Sequence, residues 1–433
     1  MTNTRIAIIG GGPRGLWAVE ELINRATRPV DITVFDPYPA GAGAVYRPDQ
    51  PHCWRLNVAS SIVKTHLGSF NDWRRDQGID STDPFPPRAQ VGEFLIDSWH
   101  AAIQRAPDSI SVRHLPRTVT TVTRENDEFL VDDQPFDHVL LCTGHDHDHP
   151  GALHREPSEV PVTGLYFGAH LPRNPRRIGV RGASLTFIDV CLRYGETAEV
   201  IYPVTRSGRF MEVKPDPARP GPEFSEELHE RAYNAVNDAE LRAVLIDAAL
   251  TLGDFHTDDL SAVLDGSDFS GDSVGELRHS LQIAEGTAPL NPAAAIGAAF
   301  RGLFSNFVQR HVDHGIVPGF RELSRTLERV AFGPPPVTAR RMLEFIDAGT
   351  IQLDYFTSPE TIEAWQSGDN SAPEIDLLID ATIAPQGKPA PFQDVPGTVA
   401  IGRMNEIELP GHDSLSRKDH DQIPQWAEKV ANP

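Results

Sequence analysis

Gly10, Gly12 and Gly15 follow the apolar run Ile6-Ala7-Ile8-Ile9 in the spacing G-x-G-x-x-G, and Asp36 closes a second apolar run, Ile32 to Phe35, about 20 residues further on. Residues of these types suit the holding of a phosphorylated ligand rather than bond cleavage. Gly10 allows a tight turn, Gly12 lets a pyrophosphate approach the backbone, and Gly15 lets the next helix pack closely on the strand. Pro13 and Arg14 sit inside the pattern, and Leu16, Val19, Leu22 and Ile23 follow at helical spacing. The helix so predicted aims its unsatisfied N–H groups and positive dipole end at the phosphates. A carboxylate at Asp36 can accept both hydroxyls of an adenosine ribose and disfavours a 2′-phosphate, so NADP is not expected in this first site. FAD and NAD both fit the pattern.

The elements that must position these residues can be read around them. The run Ile6–Ile9 predicts a strand buried on both faces of a parallel sheet. Residues 37–47 hold Gly41, Gly43, Tyr46 and Arg47, a glycine-rich loop that reads as a second backbone approach to a ligand. Residues 118–123, all β-branched, and 129–132, which open on Phe129-Leu130-Val131, predict strands of a meander. Val139 to Cys142 read as a buried strand ending in Thr143-Gly144, and His145, His147 and His149 follow. Three histidines in a loop read as solvated, and no metal site is expected.

Residues 178–206 repeat the strand-turn-helix-strand pattern with a poorer glycine set. Aligned on Gly182, Ser184 and Phe187 stand at the second and third glycine positions, and Arg206 follows the second strand. From Pro215 to Gly333 the chain turns to acidic helical patterns with ordinary i, i+3, i+4, i+7 faces, which predict a helical insertion.

Several segments resemble the FAD-binding half of the flavin-containing monooxygenase group, with its N-hydroxylating and Baeyer–Villiger relatives. They are Trp54-Arg55-Leu56-Asn57, then Gln90-Val91-x-x-Phe94-Leu95, in which Phe94 replaces the usual tyrosine, and the Thr143-Gly144 return. Tyr166-Phe167-Gly168 with His170 echoes, at short spacing, the Phe-x-Gly-x-x-x-His fingerprint of such enzymes. The chain also resembles, over nearly its whole length, a broad family of bacterial FAD/NAD(P)-binding proteins, departing from its last motif at His412 and Ser414. The resemblance implies FAD contacts from Gly10, Gly12, Pro13, Arg14, Gly15, Asp36, Gly43, Arg47, Trp54, Leu56, Asn57, Gln90, Val119, Thr143, Gly144, Gly402, Ser414 and Leu415. It further implies nicotinamide dinucleotide contacts from Gly182, Ser184 and Arg206, and a catalytic place for Asn57 beside the flavin. Arg47, Lys64 and Arg181 are candidate anion or substrate contacts.

The fold expected is α/β, with two Rossmann-like dinucleotide-binding domains and a helical insertion. Residues 1–155 and 335–433 form a discontinuous FAD domain, 156–215 an NAD(P)H domain, and 216–334 the insertion, read as a substrate lid. The loop at Gly41–Gly43, the meander and the Thr143-Gly144 return favour FAD over NAD in the first site. The function expected is that of an FAD-dependent oxidoreductase, most concretely an NAD(P)H-driven monooxygenase acting on a small molecule. A flavin dehydrogenase or oxidase is one alternative, and a non-catalytic FAD-bound scaffold, suggested by the poorer second glycine set, is another. The formal net charge of −22 over 433 residues argues against nucleic acid or anionic membrane as partners. No stretch approaches the roughly 18 consecutive apolar residues of a membrane span, and the chain enters its first strand with no room for a signal peptide. Three scattered cysteines, Cys53, Cys142 and Cys191, make no C-x-x-C pair, which fits a cytoplasmic protein with reduced thiols.

Overall fold

The computed structural model describes residues 3–144, 148–166, 171–383, 391–402, 415–417 and 422–432, and these fall into two α/β units. The first runs to residue 144 and takes in the described residues from 391 on, while the second spans 148–383.

In the first unit the strands Val399–Ala400, His138–Leu141, Thr4–Ile9, Val30–Phe35 and Ile110–Leu115 lie side by side in that order, all parallel. Alternation along Thr4–Ile9 divides the core in two, because successive side chains leave a strand on opposite faces. Ile6 and Ile8 pack among Leu16, Leu22, Phe94, Trp99 and Trp426 of the helices Pro13–Arg25, Arg88–Arg105 and Gln422–Ala431. Ala7 and Ile9 pack instead with Phe35, Phe129, Val131 and Phe136. The last three belong to an antiparallel meander of Val122–Glu125, Glu128–Val131 and Gln134–Phe136. Residues 118–121, expected as part of a strand, stay outside the meander. The N–H groups of Thr120 and Thr121 both donate to Asp132 Oδ1, at 2.9 Å each, so this carboxylate takes the place of a strand partner.

In the second unit four parallel strands run in the order Val162–Gly164, Leu377–Asp380, Arg177–Arg181 and Val200–Val204. The strand Leu377–Asp380 therefore departs from the sequence expectation, which returned residues 335–433 to the first sheet. Its four residues are all buried, an apolar run that either parallel sheet would accept. Carboxylates at its two ends fix the choice. Asp376 Oδ2 accepts from the N–H groups of Arg176 and Arg177 at 2.9 and 2.8 Å, and Asp380 Oδ1 pairs with Arg181 Nε at 3.1 Å.

The helices from Glu226–Asn234 to Phe320–Ala331, Ser273–Glu285 excepted, share a core of their own, centred on Leu245, Leu260, Phe300, Phe307 and Leu323. Ser225, Asn237, Asp272 and Asn291 cap four of them by accepting a first-turn N–H, which explains where those helices start.

Candidate nucleotide site

Four neighbouring strands of the first sheet end in residues singled out from the sequence: Gly10 after Ile9, Asp36 after Phe35, Thr143 and Gly144 after Leu141, and Gly402 after Ala400. The carboxyl edge of an open parallel sheet is where such folds bind ligands. Gly10 has φ +106°, and a Cβ there would lie 2.1 Å from the Cys142 carbonyl oxygen, so no other residue fits the turn. A Cβ at Gly15 would lie 2.2 Å from the Gly10 carbonyl oxygen, which lets the helix Pro13–Arg25 start close against the strand. No side chain caps that helix and its first turn holds no acid, so its positive end has no counter-charge within the helix itself.

Asp36 is 7% exposed. Its Oδ2 accepts from the Gly11 N–H at 2.6 Å and its Oδ1 from the Tyr38 N–H at 2.8 Å, while His114 Nε2 lies 2.8 Å from its carbonyl oxygen. Burial raises this carboxyl above its ordinary value, and the two backbone donors work against the rise. Asp36 thus braces the glycine turn, a role additional to the ribose contact read from the sequence. Each oxygen keeps acceptor capacity for a hydroxyl.

The loop after Asp36 is seated on the turn. Gly41 N–H donates to the Gly11 carbonyl at 2.6 Å, and a Cβ on Gly43 would stand 2.7 Å from Gly12 Cα. The same loop meets the helix Arg88–Arg105, where a Cβ on Gly92 would collide with the Tyr46 carbonyl at 1.6 Å. Trp54 and Leu56 are buried and pair with the entry to that helix, through Arg88 N–H to Trp54 O and Leu56 N–H to Pro86 O at 2.9 Å each. The Arg88 guanidinium lies 5.6 Å over the Trp54 ring. Asn57 is half-buried directly after Leu56. Arg47 pairs with Asp49 at 3.2 Å and covers the Tyr38 ring, and Lys64 is exposed. Val119 packs in the meander cluster with Ile9 and Phe35, and Leu56 in the helix-side core.

Gln50 Nε2, Gln90 Oε1 and Thr143 Oγ1 are buried in this unit without a hydrogen-bond partner. Unmet buried polar atoms cost about 1–3 kcal/mol each. Cβ atoms built at Gly12 and Gly144 would meet, respectively, Gly43 Cα at 3.8 Å and nothing within 4 Å, so the backbone there is open to close approach. Orphaned amide and hydroxyl atoms in the same unit as an uncapped helix start and a buried carboxylate fit a flavin dinucleotide, whose ring and ribityl chain carry matching donors and acceptors. Gln50, Gly11 and His114 were missed in the sequence. A glutamine in a loop gives no sign of burial, and the Gly11 N–H became relevant only once Asp36 was seen to reach back to it.

The chain's end closes on the same unit. Ile401 N–H donates to Leu141 O at 2.8 Å, and a Cβ at Gly402, with φ +120°, would lie 3.5 Å from Arg14 Cδ. Leu415 is buried with Ile401 in the core, and Ser416 forms a β-bridge with Val63. Arg417 spans Glu20 and Glu21 of the glycine-turn helix, meeting Glu21 Oε1 at 2.5 Å. Burial would raise the Glu21 carboxyl, but hydrogen bonds from Arg25 and Arg417 overcome it and leave it below its ordinary value. Ser414, His412 and the first residues of that motif lie outside the described residues.

In the second unit Gly182 has φ +107°, and Ser184 is exposed at the start of helix Leu185–Tyr194 with its hydroxyl unused as a cap. Phe187, at the third glycine position, is wholly buried and stacks on Phe210 at 6.3 Å. Arg206 is exposed just past the strand Val200–Val204, with no hydrogen bond or ion pair among the described residues. Arg181, expected as an anion contact, is committed instead. It pairs with buried Asp380 and donates to Gly151 O and Thr382 Oγ1, at 2.7 Å each. His149 is buried, with Nδ1 3.1 Å from the Pro150 carbonyl; His145, His147, Phe167, Gly168 and His170 lie outside the described residues. Among the described residues no group of His, Cys, Asp or Glu is arranged for a metal, and Cys53, Cys142 and Cys191 form no disulfide. None of the described helices is long and apolar enough to cross a membrane.

Residues 7–146 match the profile of the FAD-NAD(P)-binding family. Nitrosuccinic acid synthase npaA of Aspergillus oryzae is 29% identical over 140 residues, covering 28% of this chain and 22% of its own. Flavin-containing monooxygenase 5 of Homo sapiens is 24% identical over 233 residues, covering 49% of this chain and 42% of its own. The aligned regions thus span well under half of these relatives' length. The fold is shared with the closed crystal structure of cyclohexanone monooxygenase, at 13% identity and a TM-score of 0.50, covering 99% of this chain and 84% of that one.

Proposed function

We propose that this chain, an FAD-NAD(P)-binding protein distantly related to flavin-containing and N-hydroxylating monooxygenases, is an FAD-dependent oxidoreductase and most concretely an NAD(P)H-driven monooxygenase of a small molecule. The observation that carries the reading is the convergence of Gly10, Asp36, Thr143 and Gly402 at one sheet edge, with the orphaned polar atoms of Gln50, Gln90 and Thr143 in the same unit. FAD, when bound, supplies hydride acceptance and activation of dioxygen.

The protein's part is to bind, orient and exclude water. The N-terminus of helix Pro13–Arg25 and the open backbone at Gly12 hold the pyrophosphate, and Asp36 holds the ribose. Gln50, Gln90 and Thr143 pair with polar edges of the cofactor, and Asn57 stands at the flavin. The first unit takes FAD, and the second takes NAD(P)H through Gly182, Ser184 and Arg206. The helical part of the second unit receives the substrate.

The test is anaerobic mixing of the flavin-loaded protein with NADPH or NADH, followed by oxygen. Rapid bleaching and then a transient band distinct from oxidised and reduced flavin is the expected result. Bleaching followed by direct return of the oxidised spectrum would favour a dehydrogenase or oxidase. Absence of bleaching with either coenzyme would leave the protein a flavin-bound scaffold.

A further inference from the structure

The second unit holds a cavity of about 430 Å³ bounded by the segment carrying Arg209 and Glu212 and by the helices Thr257–Asp265, Ser273–Glu285 and Pro292–Gly302. Part of the lining is apolar, from Ala262, Val263, Pro292 and Ala293. Beside Ser270, His279 and Asn291 the rest is ionic, with Arg209 against Glu212, Asp259, Asp268 and Glu276. Arg209 spends its donors on its own chain, with Nε on Glu276 at 3.0 Å and Nη1 and Nη2 on the two oxygens of Asp268 at 2.5 and 3.0 Å. Arg329, behind it, reaches Asp268 and Glu212 at 3.3 Å each. Two guanidinium groups therefore serve three carboxylates.

Glu212 shows where the surplus falls. It is 7% exposed and its Oε2 has no hydrogen-bond partner. Burial pushes its carboxyl up, against the pull of a hydrogen bond with Ser280 and of the Arg329 and Arg209 charges. Asp259, exposed on the same lining, adds a further negative charge. An anion would meet guanidinium groups already engaged and carboxylates that repel it. A cavity of this size with an apolar wall suits a small organic ligand.

We propose that this cavity binds a small organic monocation, an alkylammonium or alkylguanidinium, whose charged head answers Glu212, Glu276 and Asp259 while its aliphatic body lies on Val263 and Pro292. The inference concerns binding alone and does not depend on the flavin reading. Calorimetric titration of the full chain at neutral pH with n-pentylammonium, pentanoate and 1-pentanol tests it, since the three share a body and differ in the head. Saturable one-to-one binding is expected for the ammonium and not for the other two. Glu212→Gln, nearly isosteric, should weaken it roughly tenfold or more, as for loss of a charge-assisted bond. Asp259→Asn, at an exposed position, should weaken it roughly threefold. Far-UV circular dichroism checks that each variant folds, and should Glu212→Gln not fold, Asp259→Asn decides alone. No saturable heat with the ammonium, equal binding of pentanoate, or unchanged binding in the folded variants would overturn the proposal.

Discussion

A valine at position 12 would set its methyl groups where the backbone of the glycine turn is open and faces Gly43, so Gly12→Val should leave a folded protein that no longer retains FAD. Absorbance of the purified protein near 450 nm, with circular dichroism as the folding control, reads this directly. Asp36→Ala should weaken FAD by roughly 1.5–3 kcal/mol, the scale of a hydrogen bond to a charged group. It should also lower the melting temperature of the flavin-free protein, because the buried Gly11 N–H loses its acceptor. Gln50→Leu separates binding from stability. Removing a buried amide whose Nε2 has no partner should leave the flavin-free protein as stable or slightly more so, while FAD affinity falls by about 1 kcal/mol. An unchanged affinity would take Gln50 out of the cofactor's surroundings. These positions were unequally legible in the sequence. At Gly10 and Gly15 the backbone excludes every side chain, so residue type alone carries the signal. The importance of Gln50 lies in its burial, which distant packing decides.

Among the elements, the strand-turn-helix of residues 4–25 was readable because its apolar period switches from the strand's to the helix's across three fixed glycines. The strand Leu377–Asp380 was readable as a strand but not as a member of the second sheet, since a buried apolar run says nothing about which neighbours it takes. Its address depends on Asp376 and Asp380 meeting Arg177 and Arg181, about 200 residues away in the chain. The tie between Arg417 and the glycine-turn helix is of the same long-range kind and leads to a prediction. Glu20 and Glu21 are both buried, so Arg417→Ala takes the cation from both, leaving Glu20 the His66 N–H at 2.9 Å and Glu21 the Arg25 guanidinium. A loss of about 3 kcal/mol is expected, as for breaking a buried pair, together with faster FAD release because residues 415–417 are freed. Glu21 titrates below its ordinary value in the fold. Its stabilisation is therefore present above the ordinary carboxylate range, about 4.3, and is lost as pH falls through the lower folded value. The melting-temperature gap between wild type and Arg417→Ala should accordingly be full at pH 7 and shrink below about pH 4. A gap independent of pH would mean that Arg417 acts by packing alone.

At the scale of the whole molecule the question is whether two units with separate cores take two different nucleotides. Repeated strand-turn-helix patterns made two parallel-sheet units legible, while spacing alone left the packing at the second turn unread. The structure adds two facts of opposite weight. Phe187 fills the third glycine position with a buried ring where the first motif has Gly15. Ser184 and Arg206, in contrast, are exposed at the carboxyl ends of neighbouring strand regions, and the Arg206 guanidinium is unengaged among the described residues. A free guanidinium there can meet a 2′-phosphate bidentately. Hydrogen exchange followed by mass spectrometry should therefore show FAD protecting amides of the strands Thr4–Ile9 and Val30–Phe35, and NADPH protecting those around residues 178–206. Ligand linkage scales each protection with RT ln(1 + [L]/Kd), so the two can be titrated separately. Arg206→Ala should abolish the NADPH effect and leave the FAD effect intact, with preference for NADPH over NADH in flavin reduction falling roughly tenfold or more for a lost charge-assisted pair. Ser184→Gly should preserve or strengthen NADPH protection. If NADPH protects the first unit and leaves residues 178–206 exchanging as before, the second sheet has no coenzyme role and the electrons must enter at the first.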